Sequence, residues 1–341
     1  MSQGSSLAPA GKPTTGADWP RFARLLEGKR RIVLTTHVRP DCDALGSELG
    51  MAGVLEALGK EVLIVNAFEV PKRLMFLDPS RKLKRLGVDA TAAEIEQFDL
   101  LIVLDTCAWN QLGEMGEVVR NTAIAKAVVD HHVSGDDLGA EMFKDSSAEA
   151  AGRLVVEAAD CLGVALTPEI AHPLFAALAT DTGWFRFCST TEATYRLAAR
   201  LAAAGVRPDQ VYRDLYENDT LSRLRLTGRA IGRTEMELDG RLVHTYISLE
   251  DLRAVEAQPG DTEDIINATL HVGGTQVAVV FMEQPTGEFR VSFRSRDAVD
   301  CSRIAAQFGG GGHTRASGAT VAGPLERART EVLDAVRRAM Q

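Results

Sequence analysis

The 341-residue sequence predicts an α/β fold, a mostly parallel sheet with flanking helices, followed by a smaller α+β domain. Two observations carry the first part. RRIVLTTH (30–37), DLLIVLDT (99–106) and AIAKAVVDHH (123–132) are rich in Val, Ile and Leu and read as buried strands. They alternate with helical patterns, so they pair mostly in parallel. A third observation carries the second part: from about residue 235 the pattern changes to hairpins, closed by an amphipathic helix.

Residues 1–18, MSQGSSLAPAGKPTTGAD, are rich in Ser, Gly, Pro and Thr and lack the apolar core of a signal peptide. They are expected to be a disordered tail. The first domain is expected over 19–190, starting near Trp19. After the first strand, Asp43 or Ser47 is expected to cap a helix that runs through Leu58 and stops at Gly59. EVLIVNA (61–67) is the next strand. Residues 71–98 are mixed, and RKLKR (81–85) reads as a solvated face. Beyond VVDHH a polar loop leads to a helix over about 147–162. PEIAHPLFAALAT (168–180) makes another helix and carries the chain to Asp181. WFRF (184–187) reads as a short strand or hairpin arm. Helical patterns over 191–205 and 208–218 belong to a linker expected over 191–234. Within it Arg225, Arg229 and Arg233 fall four apart on one helix face, by default a solvated stripe and otherwise one facing the interdomain cleft. In the domain expected over 235–341, Asp239-Gly240 marks a two-residue turn, and PTGE (285–288) turns a second hairpin. A helix over 300–308 leads into GGGGH (309–313).

Hydrophobic content of 45% and charged content of 25% are ordinary for a globular protein. A formal charge of −9 argues against a broad grip on long duplex nucleic acid, though not against a short nucleotide. Five scattered cysteines without a C-x-x-C fit the reduced thiols of a cytoplasmic protein. No apolar run approaches the length of a membrane span. Cys42 reads as a small buried filler in an extended segment, pointing away from Asp41 and Asp43. His172, His244 and His271 read as structural.

Chemistry concentrates where the strands end. THVRPDCDALGS (36–47), VLDT (103–106), VVDHH (128–132) and ATDTG (179–183) supply His37, Asp41, Asp43, Asp105, His131 and Asp181. Parallel sheets bind ligands beyond the carboxyl ends of their strands, so three strand tips deliver these groups to one edge. Asp105 and Asp130 could merely start turns. Three tips carrying the ligand types of one chemistry favour a metal site instead. Oxygen and imidazole donors without a thiolate suit two divalent cations bridged by a carboxylate, a site for attack on phosphorus. Asp105, in the middle of the set, is the natural bridge. The donors favour Mn2+, with Zn2+, Co2+, Fe2+ or Mg2+ as alternatives. Asp130 is placed to orient a ligand ring. His132 is placed to hydrogen-bond the scissile phosphate or protonate the leaving oxygen. In the second domain Gly311 and Gly312 let backbone N–H groups approach an anion, and His313 follows. Arg294 and Arg296, two apart on one strand face, suit bidentate phosphate contacts.

HVRPDCDALGS resembles the first motif of the DHH phosphoesterase superfamily: a His, then Pro-Asp-x-Asp, then Gly-Ser. VVDHH is similar to the motif that gives the superfamily its name. GGGGHTRASGA (309–319) resembles the glycine-rich motif of the DHH-associated C-terminal domain. In this order, from about residue 20 onward, the set resembles the nanoRNase and pAp-phosphatase branch. The resemblance implies one metal with His37 and Asp41 and another with Asp43, His131 and Asp181. It also points to manganese and gives His132 a catalytic or substrate role. It implies that Arg294, Arg296 and the glycine-rich His segment hold a substrate phosphate, with Asn267 nearby. The implied enzyme is a two-lobed clamp with its active site in the interdomain cleft, compatible with a homodimer. It would cut RNA of two to about five nucleotides to nucleoside 5′-monophosphates, or remove the 3′-phosphate of pAp. Cyclic di-AMP or pApA is the near alternative. An inorganic pyrophosphatase would usually lack GGGGH, and a single-strand DNA exonuclease would carry a further domain. A silent nucleotide-binding regulator would be expected to have lost a metal ligand, and all six are present.

Overall fold

A computed structural model describes residues 16–262, 265–296 and 299–341, without the side chain of His313. Residues 1–15 of the expected tail lie outside the described residues. Residues 16–18 are part of the fold: Gly16 N–H donates to Asp145 at 2.7 Å, and Asp18 caps the first helix. The chain divides into two units, residues 1–218 and 219–341.

In the first unit the strands are β1 (Arg31–Thr35), β2 (Glu61–Asn66), β3 (Leu83–Arg85), β4 (Leu100–Leu104), β5 (Ala125–Asp130) and β6 (Glu141–Lys144). The helices are α1 (Trp19–Leu25), α2 (Cys42–Ala57), α3 (Ala92–Ile95), α4 (Met115–Asn121), α5 (Ala151–Leu162), α6 (Pro168–Asp181), α7 (Glu192–Ala203) and α8 (Pro208–Tyr216). The sheet order is β3-β2-β1-β4-β5-β6, every neighbouring pair parallel. Side chains alternate across it. Ile32, Leu34, Ile102 and Val129 join a core with α2, α5 and α6, while Val33, Leu101, Val103 and Val128 join one with Phe98, Met115 and Val119. Both faces are covered, which is why the strands read as continuous apolar runs. The chain leaves β1 toward β2 on one side, and β4 lies on the other. This reversal opens the crevice where such sheets bind ligands.

Several local expectations change. Asp41, not Asp43 or Ser47, caps α2, accepting the Asp43 and Ala44 N–H groups at 3.0 Å each. Cys42 therefore sits in the first helical turn rather than in an extended segment. It is still a buried filler, and burial pushes its thiol up to about 12. RKLKR contributes the edge strand β3. WFRF forms successive turns, with Trp184 and Phe185 at φ 57° and 61°. Trp184 N–H donates to Ala179 O at 2.6 Å and Phe185 N–H to Thr182 Oγ1 at 3.1 Å, so this backbone is satisfied without a strand partner. The helical stretch 191–234 is divided: α7 and α8 fall within the first unit.

The second unit holds α9 (Leu221–Gly232), β7 (Glu235–Glu237), β8 (Leu242–Ile247), α10 (Leu249–Ala254), α11 (Ile265–Thr269), β9 (Val277–Glu283), β10 (Glu288–Ser295), α12 (Cys301–Ala306), β11 (Gly311–His313), β12 (Ala316–Ala322) and α13 (Leu325–Ala339). Its sheet runs β11-β12-β10-β9-β8-β7, antiparallel except for β8 with β9. Pairing of Glu237 with Leu242 makes the first hairpin loop four residues long rather than two. Leu238, Asp239 and Gly240 are all left-handed there. The arginine stripe is mostly structural. Arg229 and Arg233 both pair with Asp251, and Arg233 lies 4.5 Å over the Tyr246 ring.

Candidate active site

His37 follows β1, Asp105 follows β4, and Asp130, His131 and His132 close β5. Asp41 and Asp43 stand at the N-terminus of α2, and Asp181 ends α6. All belong to the first unit, and the fold brings their donor atoms together. Donor atoms of His37, Asp41 and Asp105 lie within 4.8 Å of one another, as do those of Asp43, His131 and Asp181. A third set joins Asp105, His131 and His132. Asp105 thus faces the histidines of both sets: His37 Nε2 is 3.3 Å from Oδ2 and His131 Nε2 is 3.4 Å from Oδ1. His131 Nε2 also lies 3.4 Å from Asp181 and 3.6 Å from Asp43.

Backbone carbonyls set the rings. His37 Nδ1 sits 3.0 Å from Val38 O, and His131 Nδ1 sits 3.1 Å from Ala148 O. A carbonyl can only accept, so Nδ1 carries the proton and Nε2 faces the carboxylates. That is the usual arrangement of a metal-ligating histidine. Asp43 is held from far along the chain: Ala151 and Gly152 N–H, at the start of α5, donate to its carboxylate at 2.7 and 2.9 Å. Asp105 is buried at φ 59°, an unusual conformation for a non-glycine residue. Its Oδ1 has no aligned hydrogen-bond donor.

Crowded buried carboxylates raise one another's proton affinity. Burial, then repulsion from Asp105, pushes Asp43 up to about 7. Burial and the same repulsion raise Asp41, and burial with Asp43 raises Asp181 well above the carboxylate range. Burial is the largest influence on both histidines and opposes their charge, yet the contacts with Asp105 and the charges of the surrounding carboxylates together outweigh it, lifting His37 to about 9 and His131 to about 11. The orphaned Asp105 oxygen, the Nε2 atoms aimed at carboxylates and the hard donor set all fit divalent cations.

Two neighbouring groups escaped the sequence reading. Lys144 Nζ lies 3.1 Å from Asp130 Oδ2 and 3.0 Å from Cys107 Sγ. Behind the tip of β1, Asn66 donates to the buried Glu48 at 2.9 Å and accepts the Thr36 N–H at 3.0 Å. Burial pushes Glu48 up to about 8. No spacing in the sequence marks either group. His172 packs edge-on against Phe76, and the buried His244 bonds Glu237, so both are structural.

The substrate candidates lie in the second unit. Arg294, Ala316 and His313 share one rung across β10, β12 and β11. The His313 side chain lies outside the described residues. Arg296 falls just past the end of β10 rather than on its face, and its guanidinium bonds Leu270 O, three residues beyond Asn267 of α11. The glycine run is not an open loop. Its second half, Gly311 and Gly312, enters β11, and a Cβ at Gly312 would stand 2.6 Å from Ala316 O, so at least this glycine serves close strand approach.

A parallel sheet that gathers imidazoles and carboxylates at its switch point defines a hydrolase of the metal-dependent kind. Residues 31–178 match the model of the DHH family, N-terminal domain, and residues 240–341 match the DHHA1 domain. The chain belongs to the DHH family of phosphoesterases. It is 35% identical over 311 residues to the bifunctional oligoribonuclease and PAP phosphatase NrnA of Thermus thermophilus, covering 90% of this chain and 89% of the relative. The protein of the same name from Bacillus subtilis is 27% identical, covering 85% and 89%. An exopolyphosphatase-related protein from Bacteroides fragilis superposes with a TM-score of 0.86 at 26% identity, covering 94% of each chain. Among the described residues no helix is long and apolar enough to cross a membrane.

Proposed function

We propose that this chain hydrolyses short oligoribonucleotides to nucleoside 5′-monophosphates and removes the 3′-phosphate of pAp. One observation carries the chemistry: the His37–Asp41–Asp105 and Asp43–His131–Asp181 sets meet through the contact between Asp105 and His131. The relatives named oligoribonuclease and PAP phosphatase, similar along most of this chain, support the substrate class. His37, Asp41 and Asp105 would hold one divalent cation, and Asp43, His131, Asp181 and Asp105 a second, with Mn2+ favoured by the imidazole content. When bound, such cations neutralise phosphate oxygens and acidify an attacking water. His132, held by Asp130, donates a hydrogen bond to the scissile phosphate or the leaving oxygen. Arg294 and Arg296 contact a substrate phosphate, with Asn267 and the Gly311–Gly312–His313 segment beside it.

The test is turnover with manganese on RNAs of two to five nucleotides, a 24-mer, pAp, cyclic di-AMP and pyrophosphate. Rapid monophosphate release from the short RNAs and cleavage of pAp, with the 24-mer spared, is the expected result. Cleavage of pyrophosphate alone contradicts the proposal. Losing one charge-assisted phosphate contact costs about 1.5–3 kcal/mol. Arg294→Ala is therefore expected to raise KM for short RNA roughly 10- to 100-fold. The same variant should leave turnover of a simple aryl phosphodiester much less affected, and equal losses on both would count against Arg294 as a nucleotide contact.

A further inference from the structure

We propose that Lys144 is a positioning residue that holds His132, through Asp130, in the orientation needed to assist departure of the leaving oxygen. The role assigned to His132 rests on the proposed phosphoesterase chemistry; the placement of Lys144 does not. Parallel pairing puts Lys144 of β6 directly opposite Asp130 of β5, so their side chains share a sheet face. Lys144 Nζ reaches Asp130 Oδ2 at 3.1 Å, and Cys107 Sγ donates to the same oxygen at 2.9 Å. The other oxygen, Oδ1, accepts His132 Nδ1 at 2.8 Å and His132 N–H at 3.1 Å. Asp130 is fully buried, so its carboxylate requires this compensation. Lys144 also donates to Ser134 O at 3.0 Å, tying down the loop that follows His132. That loop packs tightly on Cys107: a Cβ at Gly135 would lie 1.9 Å from Sγ. One ammonium thus anchors both the carboxylate that orients the ring and the backbone that carries it.

With Nδ1–H committed to Asp130, Nε2 is the ring atom that would serve the leaving oxygen in the proposed chemistry. As the P–O bond to the leaving group breaks, its electrons stay on that oxygen, which takes the Nε2 proton. Water oxygen forms the new bond to phosphorus and releases its proton to solvent. A poor leaving group needs this proton, whereas p-nitrophenolate does not.

Lys144→Met in the manganese-loaded protein is to be measured on two aryl esters of one nucleoside 5′-monophosphate, differing only in the phenol released. Loss of an outer-shell orienting group typically costs about 10- to 100-fold. That loss is expected in kcat for the phenyl ester, with the p-nitrophenyl ester nearly unchanged and Lys144→Arg recovering most of it. A merely structural lysine would lower both esters alike, and that outcome, or no loss on either, overturns the proposal. Should Lys144→Met not fold because the buried Asp130 loses its ammonium partner, Lys144→Gln combined with Asp130→Asn removes both charges together. The same selective loss is expected there, and unchanged leaving-group dependence overturns the proposal. Failure of the short-RNA reading would appear separately, as absent oligonucleotide turnover by the unsubstituted protein.

Discussion

Asp105→Ala is expected to lower kcat by about 10³-fold or more on every phosphoester the protein cleaves, because several kcal/mol of transition-state charge stabilisation depend on the cations it would bridge. Asp105 is the acid that both imidazole rings face, 3.3 Å from His37 and 3.4 Å from His131. Among the described residues no other carboxylate pairs with both. Asp105→Asn sharpens the test. Asn tolerates the left-handed backbone at φ 59° and keeps the shape, but it lacks the charge. It should therefore fail almost as badly as Ala while avoiding backbone strain. A thermal readout accompanies the kinetic one. A cation at a hundredfold excess over its Kd stabilises the native state by about 2.7 kcal/mol, which is about 5–10 °C for a domain of this size. The unsubstituted protein should show that rise with manganese, and the Asn variant should show much less. Near-normal turnover by either variant would contradict the two-cation reading.

The sequence exposes His37, Asp105 and His131 because each follows a strand that is apolar on both faces, whereas Asp41, Asp43 and Asp181 sit at helix ends. β1, β4 and β5 are buried by helices on both sides, so their Val, Ile and Leu runs end abruptly at the sheet edge. What stays hidden is decided by contacts far along the chain. Asp41, Asp43 and Ser47 all offer an oxygen near the start of α2. Asp43 is unavailable as its cap because Ala151 and Gly152, over a hundred residues later, claim its carboxylate. WFRF has strand-like composition, yet Trp184 packs its ring 5.0 Å from Tyr212 and 6.1 Å from Phe175, and tertiary packing wins over propensity. Lys144 is one lysine in a short edge strand, a pattern indistinguishable from a solvated face. The arginines at 229 and 233 look like a helix stripe until Asp251 is seen to compensate both.

Gly46→Val is expected to destabilise the first unit by about 3 kcal/mol, the upper end of the 1–3 kcal/mol that overpacking costs, because the nearest atom is backbone. A Cβ at Gly46 would stand 2.4 Å from the backbone oxygen of Pro173 and 3.0 Å from Ala177 Cβ, so α2 and α6 would have to separate. Those two helices carry Asp41, Asp43 and Asp181, and the absent side chain at Gly46 is one condition for their acids to converge. The melting temperature should fall by roughly 6–12 °C. Gly46→Ala should show a smaller drop, since improved helix propensity returns about 1 kcal/mol. Its manganese affinity should nevertheless fall, because any helix separation is felt directly between Asp43 and Asp181. Gly53→Ala provides the comparison. There the close atom is Ile170 Cγ1 at 2.6 Å, a side-chain rather than a backbone atom, and the site lies nearly two turns farther from the acids. It should cost less stability than Gly46→Ala and leave manganese binding close to that of the unsubstituted protein. If Gly46→Ala matched the unsubstituted protein in both melting temperature and manganese affinity, the close approach of α2 and α6 would have no part in building the site.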